Sequence, residues 1–295
     1  MNKNYYRLIR TRKAEQILGK SNIHIDTSKL NVFQKTNPSN EKAKYLLHSK
    51  VNGFISSEYS AQNKITARMF TKSGSLNLIT LADTDIKVCI NSRYDNGYIV
   101  ELDYSSYEFG IMLGLLNFTE FNDVDIHTIV AQELEINRND AKRIVYALIY
   151  GMSKKNLSKI LTDNQIASLF VIIGPFLEVI EDYLCPLIEE YSKNKSVTNH
   201  YGRLIYPKTE RNIFNNIIQS IGSDILIDTI IRINNLDKFN ILFHRFDSLF
   251  FDINSTDLKQ NLPVLIDVMK SSETNFNLQI GISIGKTLQN LKKLE

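Results

Sequence analysis

The 295-residue sequence predicts an α+β fold. Three observations carry the prediction. Two short apolar runs, GYIVELD at 97–103 and NILFHRFDSLFFDI at 240–253, have the length and residue types of strands. Longer segments with helical spacing, at about 138–153, 164–192 and 209–235, lie between them. Composition supports a folded chain: 43% of residues are hydrophobic and 23% charged, enough for a sizeable core in one large domain or two smaller ones.

Charge and cysteine usage bound the function. A net charge of +3 does not by itself require a nucleic-acid partner, so any such binding has to come from local clusters. Cys89 and Cys185 form no spacing motif, which predicts free thiols in a reducing, cytoplasmic setting. The opening MNKNYYRLIRTRK lacks the apolar core of a signal peptide. No run reaches the roughly 18 apolar residues of a membrane span, so no membrane partner is expected.

Residues 4–19 read as a helix, with Tyr6, Ile9, Ile17 and Leu18 as apolar positions and Gly19 as its stop. Arg7, Arg10, Arg12 and Lys13 make it basic, either as a solvated face or for phosphate contact. Residues 20–50 are polar, with a turn signal at Asn37-Pro38-Ser39-Asn40. Residues 53–81 look extended, and there Arg68 stands near Lys64, Thr71 and Lys72. Interleaved hydroxyl and basic side chains of this kind suit a nucleic-acid backbone.

Asp103 ends the 97–103 run, just before YSSYEFGIMLGLL at helical spacing. An aspartate there serves as a metal ligand, a catalytic acid or a helix cap. Asp125 is placed to cap the following helix, and His127 has no second His or Cys nearby for a zinc site. In RNDAKRIVYALIYGMS, Arg138, Lys142, Tyr146 and Tyr150 recur every fourth position along one side, with Arg143 close to that arc. Ala141, Ile144, Val145 and Leu148 fall on the other side, and Gly151 is placed to end the helix. Fixed cations followed by aromatics offer a triphosphate its counter-charge and a base its stacking surface, although a solvated basic face has the same spacing.

The long region 164–192 contains Pro175 and Pro186, expected to break or bend it. VTNHYGRLIYP reads as extended with a turn at Gly202, leaving Arg203 to face a groove. In the helix of 209–235, Asn215 and Gln219 either pair with each other in the interior or reach a base edge. The run 240–253 reads as a hairpin around Arg245-Phe246-Asp247-Ser248. The chain closes with an extended NLQIGISIG and a basic helical tail, KTLQNLKKLE.

Taken in order, these pieces resemble family A DNA polymerases, from about residue 50 to the C-terminus. DYSSYEFG resembles the family's first palm motif, DYSQIELR. RNDAKRIVYALIYGMS is similar to its fingers helix, RxxxKxxxFGxxYG, and DIHT at 125–128 to its D-x-H-T element. GRLIYP resembles GRRRYLP, NNIIQSIGSDIL resembles NAPIQGTAADII, and RFDSLFFDI resembles VHDEIVFE. ITARMFTKSGSLNL is a looser likeness of TGRLSSxxPNLQN, carrying Arg68. Two departures stand out: Ser248 replaces the acid of the last motif, as in the distantly related single-subunit RNA polymerases, and Ala147 replaces the glycine after the stacking aromatic.

The resemblance implies a right-hand polymerase fold: an antiparallel palm sheet carrying both aspartates, an inserted helical fingers subdomain, and a thumb largely absent. The implied division is 1–50 as thumb remnant, 51–125 and 200–295 as palm, and 126–199 as fingers. The implied activity is template-directed addition of dNTPs to a primer 3′-hydroxyl in DNA replication or repair, with no proofreading exonuclease in this chain. Asp103 and Asp247 are then the ligands of two Mg²⁺ ions, for which Mn²⁺ can substitute. Arg138 and Lys142 bind the triphosphate, and Lys142 is also a proton donor to pyrophosphate. Tyr146 stacks on the incoming base, and Glu108 closes off the sugar 2′ position. Tyr150, Arg68, Arg203, Asn215 and Gln219 contact primer-template DNA. A tyrosine at position 146 goes with easy acceptance of dideoxynucleotides. The short N-terminal region and Ser248 leave room for two alternatives: a split or weakened module that needs a second polypeptide, or an RNA polymerase-like or primase-like relative.

Overall fold

Asp, Asn and Thr side chains mark where many of the helices begin, each satisfying backbone N–H groups of a first turn. Asp26 accepts from Lys29 N, Asn40 from Ala43 N, Asn137 from Asp140 N and Asn254 from Thr256 N. The computed structural model describes residues 3–61, 65–78, 81, 85–122, 124–271, 276 and 278–294; Lys64 lies outside them. The first part of the chain runs α1 (Lys3–Gly19), β1 (Ile23–His24), α2 (Thr27–Thr36), α3 (Glu41–Ser49), β2 (Phe54–Ile55), β3 (Tyr59–Ser60), β4 (Phe70–Thr71) and β5 (Gly97–Ser105). The middle runs α4 (Tyr107–Leu115), α5 (Ile126–Leu134), α6 (Arg138–Ile149), α7 (Lys154–Leu157), α8 (Asp163–Asn194), β6 (Val197–Thr198) and β7 (Leu204–Ile205). The last part runs α9 (Ile213–Asn235), β8 (Ile241–Arg245), β9 (Ser248–Asn254), α10 (Ser255–Lys270), β10 (Gln279–Gly285) and β11 (Lys292–Lys293). The fold is α+β, and its largest sheet is antiparallel throughout.

The chain divides into two compact units, Met1–Tyr107 with Gly222–Glu295, and Glu108–Ile221. The first is built on a five-stranded sheet of order β11-β10-β5-β9-β8. From Val100 to Tyr104 burial alternates along β5: Val100, Leu102 and Tyr104 are buried, while Glu101 and Asp103 are not. That is the period of a strand with one covered face. On the covered side Tyr104 Oη donates to Met269 O at 2.9 Å and lies 3.1 Å from Thr229 Oγ1, tying β5 to α10 and α9.

Helix α1 differs from its sequence reading. Tyr6 and Ile9 are exposed, at 41% and 43%, and the buried positions are Arg7, Thr11, Ala14 and Leu18. The reason is an ion pair: Arg7 Nη1 meets Asp228 Oδ2 at 2.6 Å, and Arg10 Nε pairs with the other oxygen. Two of the cations offered for phosphate or solvent are thus spent on a buried carboxylate. The polar stretch after it folds as α2 and α3 around the turn at 37–40. The basic tail is not a helix. It turns and returns as β11, pairing Lys293 with Ser283 and Lys292 with Ile284, because an edge strand offers unpaired backbone groups along its length.

The second unit is mainly helical. Helix α6 buries Ala141, Ile144, Val145 and Leu148, the predicted stripe, together with Ile149. Gly151 follows its cap at φ +87, a left-handed conformation that glycine adopts without steric cost. Helix α8 contains both Pro175 and Pro186 without a break. Thr162 and Gln165 cap it reciprocally, and its inner face carries Leu169, Ile173, Phe176 and Ile180. The Phe176 ring lies 5.0 Å from Phe118, 5.7 Å from Phe109 and 5.9 Å from Phe121. Burial of such a face offsets the roughly 3 kcal/mol that an internal proline costs.

Among the described residues no helix is long and apolar enough to cross a membrane. Cys89 is buried, Cys185 is exposed, and both are free thiols.

Candidate active site

In the first unit the open face of the sheet collects acids. Glu101, Asp103 and Ser105 project from β5 toward one side, two residues apart. The turn between β8 and β9 carries Asp247, and the β5–β9 register sets Asp103 opposite Ser248. Tyr104 N donates to Asp247 O at 3.4 Å. Asp103 and Asp247 therefore line one open cleft of about 280 Å³, together with Glu101, Arg245 and Lys293. Gly281 is the register partner of Asp103. A Cβ there would stand 3.2 Å from Ser105 Oγ and 4.0 Å from Lys293 Cε, so the glycine keeps the floor of the cleft open.

Electrostatics follow from this crowding. Loss of hydration, then the charges of Asp247 and Glu101, push the Asp103 carboxyl up to about 6; Arg245 and Lys293 act in the opposite direction. Two mutually repelling carboxylates at a solvent-reached surface are a donor set for a hard divalent cation, whose charge relieves the repulsion. Among the described residues no group of three or more His, Cys, Asp or Glu side chains gathers as a metal cage. A two-carboxylate site fits Mg²⁺ in particular, which is commonly held by one or two carboxylates with substrate phosphates supplying the rest.

In the second unit Asp125 caps α5 by accepting from His127 N and Thr128 N. It also forms a two-pronged pair with Arg138, Nε to Oδ2 at 2.8 Å and Nη2 to Oδ1 at 3.2 Å. Burial raises the Asp125 carboxyl, but the Arg138 and Thr128 hydrogen bonds outweigh it and hold the group at about 2. Lys142 is exposed, with Nζ 5.9 Å above the Tyr146 ring. Tyr146 lies 5.6 Å from His127 and 6.1 Å from Tyr150. Tyr150 Oη donates to Glu108 Oε2 at 2.6 Å. Arg138, Lys142 and Tyr146 lie off the buried face of α6, and Tyr150 is its C-terminal cap.

The remaining candidates are scattered. Arg203 is 4% exposed, not open to a groove, and its backbone N–H donates to Asn199 Oδ1 at 2.9 Å. Asn215 and Gln219 are half-buried on α9, and Asn215 Oδ1 has no hydrogen-bond partner among the described residues. Arg68 is exposed, next to Ala67 at φ +53.

Three side chains of the cleft were given no role by the sequence reading. Glu101 accepts from Arg245 Nη2 at 2.6 Å and from Ser248 Oγ at 3.1 Å. Its signal was present, two residues before Asp103 in a strand of period two. Arg245 and Lys293 gave no such sign, since their place depends on pairing with distant strands. His127 is buried, with neither ring nitrogen hydrogen-bonded among the described residues.

The family model for DNA polymerase family A matches residues 24–290. Among curated proteins, the chain is 24% identical to DNA polymerase I from Rhizobium leguminosarum over 216 residues, which is 59% of this chain and 21% of that protein. Among solved structures, the POL domain of Pol1 from M. smegmatis, in complex with DNA primer-template and dNTP, is similar with a TM-score of 0.68. That likeness covers 86% of this chain and 52% of the other at 18% identity, so it is a likeness of fold. The chain thus spans about a fifth of the length of the curated relative and about half of the solved one.

Proposed function

The chain belongs to DNA polymerase family A, and from that premise we propose that it performs template-directed DNA synthesis, extending a primer 3′-hydroxyl with dNTPs. The observation that carries the reading is the cleft shared by Asp103 and Asp247. In this reading the palm comprises 51–125 and 200–295, the fingers 126–199, and 1–50 is a remnant of the thumb.

The primer oxygen forms a bond to the α-phosphorus of the dNTP, the α–β bridge breaks, and pyrophosphate leaves. Asp103 and Asp247 would hold two divalent ions, Mg²⁺ or in its place Mn²⁺, which supply activation of the primer hydroxyl and charge for the triphosphate. Lys142 neutralises phosphate charge and donates a proton to the departing pyrophosphate. Arg138 adds a second cation, and it must share or leave Asp125 to do so. Tyr146 gives the incoming base a stacking surface. Glu108, held by Tyr150, excludes a 2′-hydroxyl. Arg68, Asn215 and Gln219 contact primer-template, whereas Arg203 is buried and is left out of that surface. The template chooses the base through pairing, so the protein contributes position and charge.

Primer extension by the purified chain with Mg²⁺ or Mn²⁺ tests the proposal. The expected result is incorporation that Asp103→Ala and Asp247→Ala each abolish. No incorporation with either ion, or incorporation that survives either substitution, refutes it.

A further inference from the structure

We propose that Glu101 is a positioning residue of the carboxylate cleft: it clamps both ends of the turn that carries Asp247 against the strand that carries Asp103. The inference rests on the polymerase reading and deepens it.

The turn needs such a clamp. Phe246 precedes Asp247 with φ +54, a left-handed conformation that a bulky residue keeps only when its surroundings impose it. Its side chain does not supply the constraint, being 64% exposed. The constraint comes from the residues on either side. Arg245 closes β8 and Ser248 opens β9, and both point at one atom: Glu101 Oε1 accepts from Arg245 Nη2 at 2.6 Å and from Ser248 Oγ at 3.1 Å. Ser248 Oγ also lies 2.9 Å from Arg245 O, so its single proton is shared within the same knot. Glu101 is on β5, the central strand, two residues from Asp103. One strand thus fixes Asp103 directly and Asp247 in two ways, through Tyr104 N on its main chain and through Glu101 on the residues to either side.

Ser248 belongs to the same device. It is 1% exposed and faces the Glu101 carboxylate. An acid at 248 would set two negative charges side by side, whereas a hydroxyl donates to the one already there. Position 248 and Glu101 are therefore a matched donor and acceptor.

The test compares the native chain with Asp247→Ala, Glu101→Ala and Glu101→Gln. Mn²⁺ affinity is read by electron paramagnetic resonance, kcat and KM by primer extension, and folding by the thermal midpoint. Asp247→Ala should lose Mn²⁺ affinity and extension. Glu101→Ala should weaken Mn²⁺ binding and lower kcat by roughly 10- to 100-fold, the usual range for a group that orients a ligand. Glu101→Gln keeps an acceptor oxygen for Arg245 and Ser248, so it should recover most of that loss. Should Glu101→Ala fail to fold, Ser248→Ala replaces it, with an expected loss of roughly tenfold for one hydrogen bond to a charged group. Native Mn²⁺ affinity and kcat in Glu101→Ala (or in its replacement) overturn the clamp, and so does damage in Glu101→Gln equal to that in Glu101→Ala. Native affinity in Asp247→Ala overturns the polymerase reading instead, so the two failures are distinguishable.

Discussion

Replacing Tyr150 with Phe isolates the bond to Glu108, the residue proposed above to exclude a 2′-hydroxyl. The variant keeps the ring and its place near Tyr146 and removes only the hydroxyl that donates to Glu108 at 2.6 Å. A hydrogen bond to a charged group contributes ~1.5–3 kcal/mol. At about 1.4 kcal/mol per factor of ten, it favours one orientation of Glu108 by roughly 10- to 100-fold. Both side chains are half-buried, so water competes and the lower end applies. The expected outcome is a drop of about tenfold in the ratio of kcat/KM for dNTP to that for NTP. Competitive primer extension with matched dNTP and NTP pairs measures it, with Glu108→Ala as the limiting case. An unchanged ratio in Tyr150→Phe, while Glu108→Ala loses selectivity, would refute the idea that this bond holds Glu108.

Three further expectations follow from single side chains. If Tyr146 stacks on the incoming base, dideoxynucleotides should be accepted nearly as well as dNTPs, and Tyr146→Phe should raise discrimination in a chain-termination assay; equal discrimination in both proteins contradicts this. Tyr104→Phe should cost about 1–3 kcal/mol in urea unfolding, because it strips a buried hydroxyl from Met269 O and Thr229, and a change within error would show that the hydroxyl contributes nothing. Burial, with Arg138 and Lys142 adding and Asp125 opposing, pushes the His127 ring down from 6.5 to about 4. The folded state favours the neutral ring, so its contribution is fully present above about pH 6.5 and is lost as pH falls through about 4. His244, also pushed down to about 4 by burial, acts in the same direction. His127→Gln should therefore flatten part of the fall in urea midpoint over that window, and an unchanged slope would exclude His127 as a source.

Local pattern made much of the fold legible. Strand β5 is visible as a short apolar run, the β8–β9 hairpin as two apolar arms, and α6 as a stripe of Ala141, Ile144, Val145 and Leu148. The Asp125 cap follows from residue type alone. Features that depend on a partner far along the chain stayed hidden. Arg7 reads as a surface cation until Asp228 is known to meet it. Pro175 and Pro186 read as breaks because the aromatic cluster around Phe176 that holds α8 together is assembled from other segments. The two aspartates could be picked out singly. Glu101 could be seen beside one of them, but its hold on Arg245 and Ser248 appears only once β9 lies in register with β5.

That register bears on how the protein is made. The central strand, synthesised at residues 97–105, finds its neighbours only at 248–254 and 279–285, and Arg7 waits for Asp228. The helical unit between them is a single uninterrupted stretch, Glu108–Ile221. On a translating ribosome the helices can close on themselves while β5 stays without either flanking strand. Pairings this distant in sequence are slow to form. While residues 106–247 are being made, the segment bearing Asp103 is a bare edge, the stage at which a chaperone would be of most use to this protein.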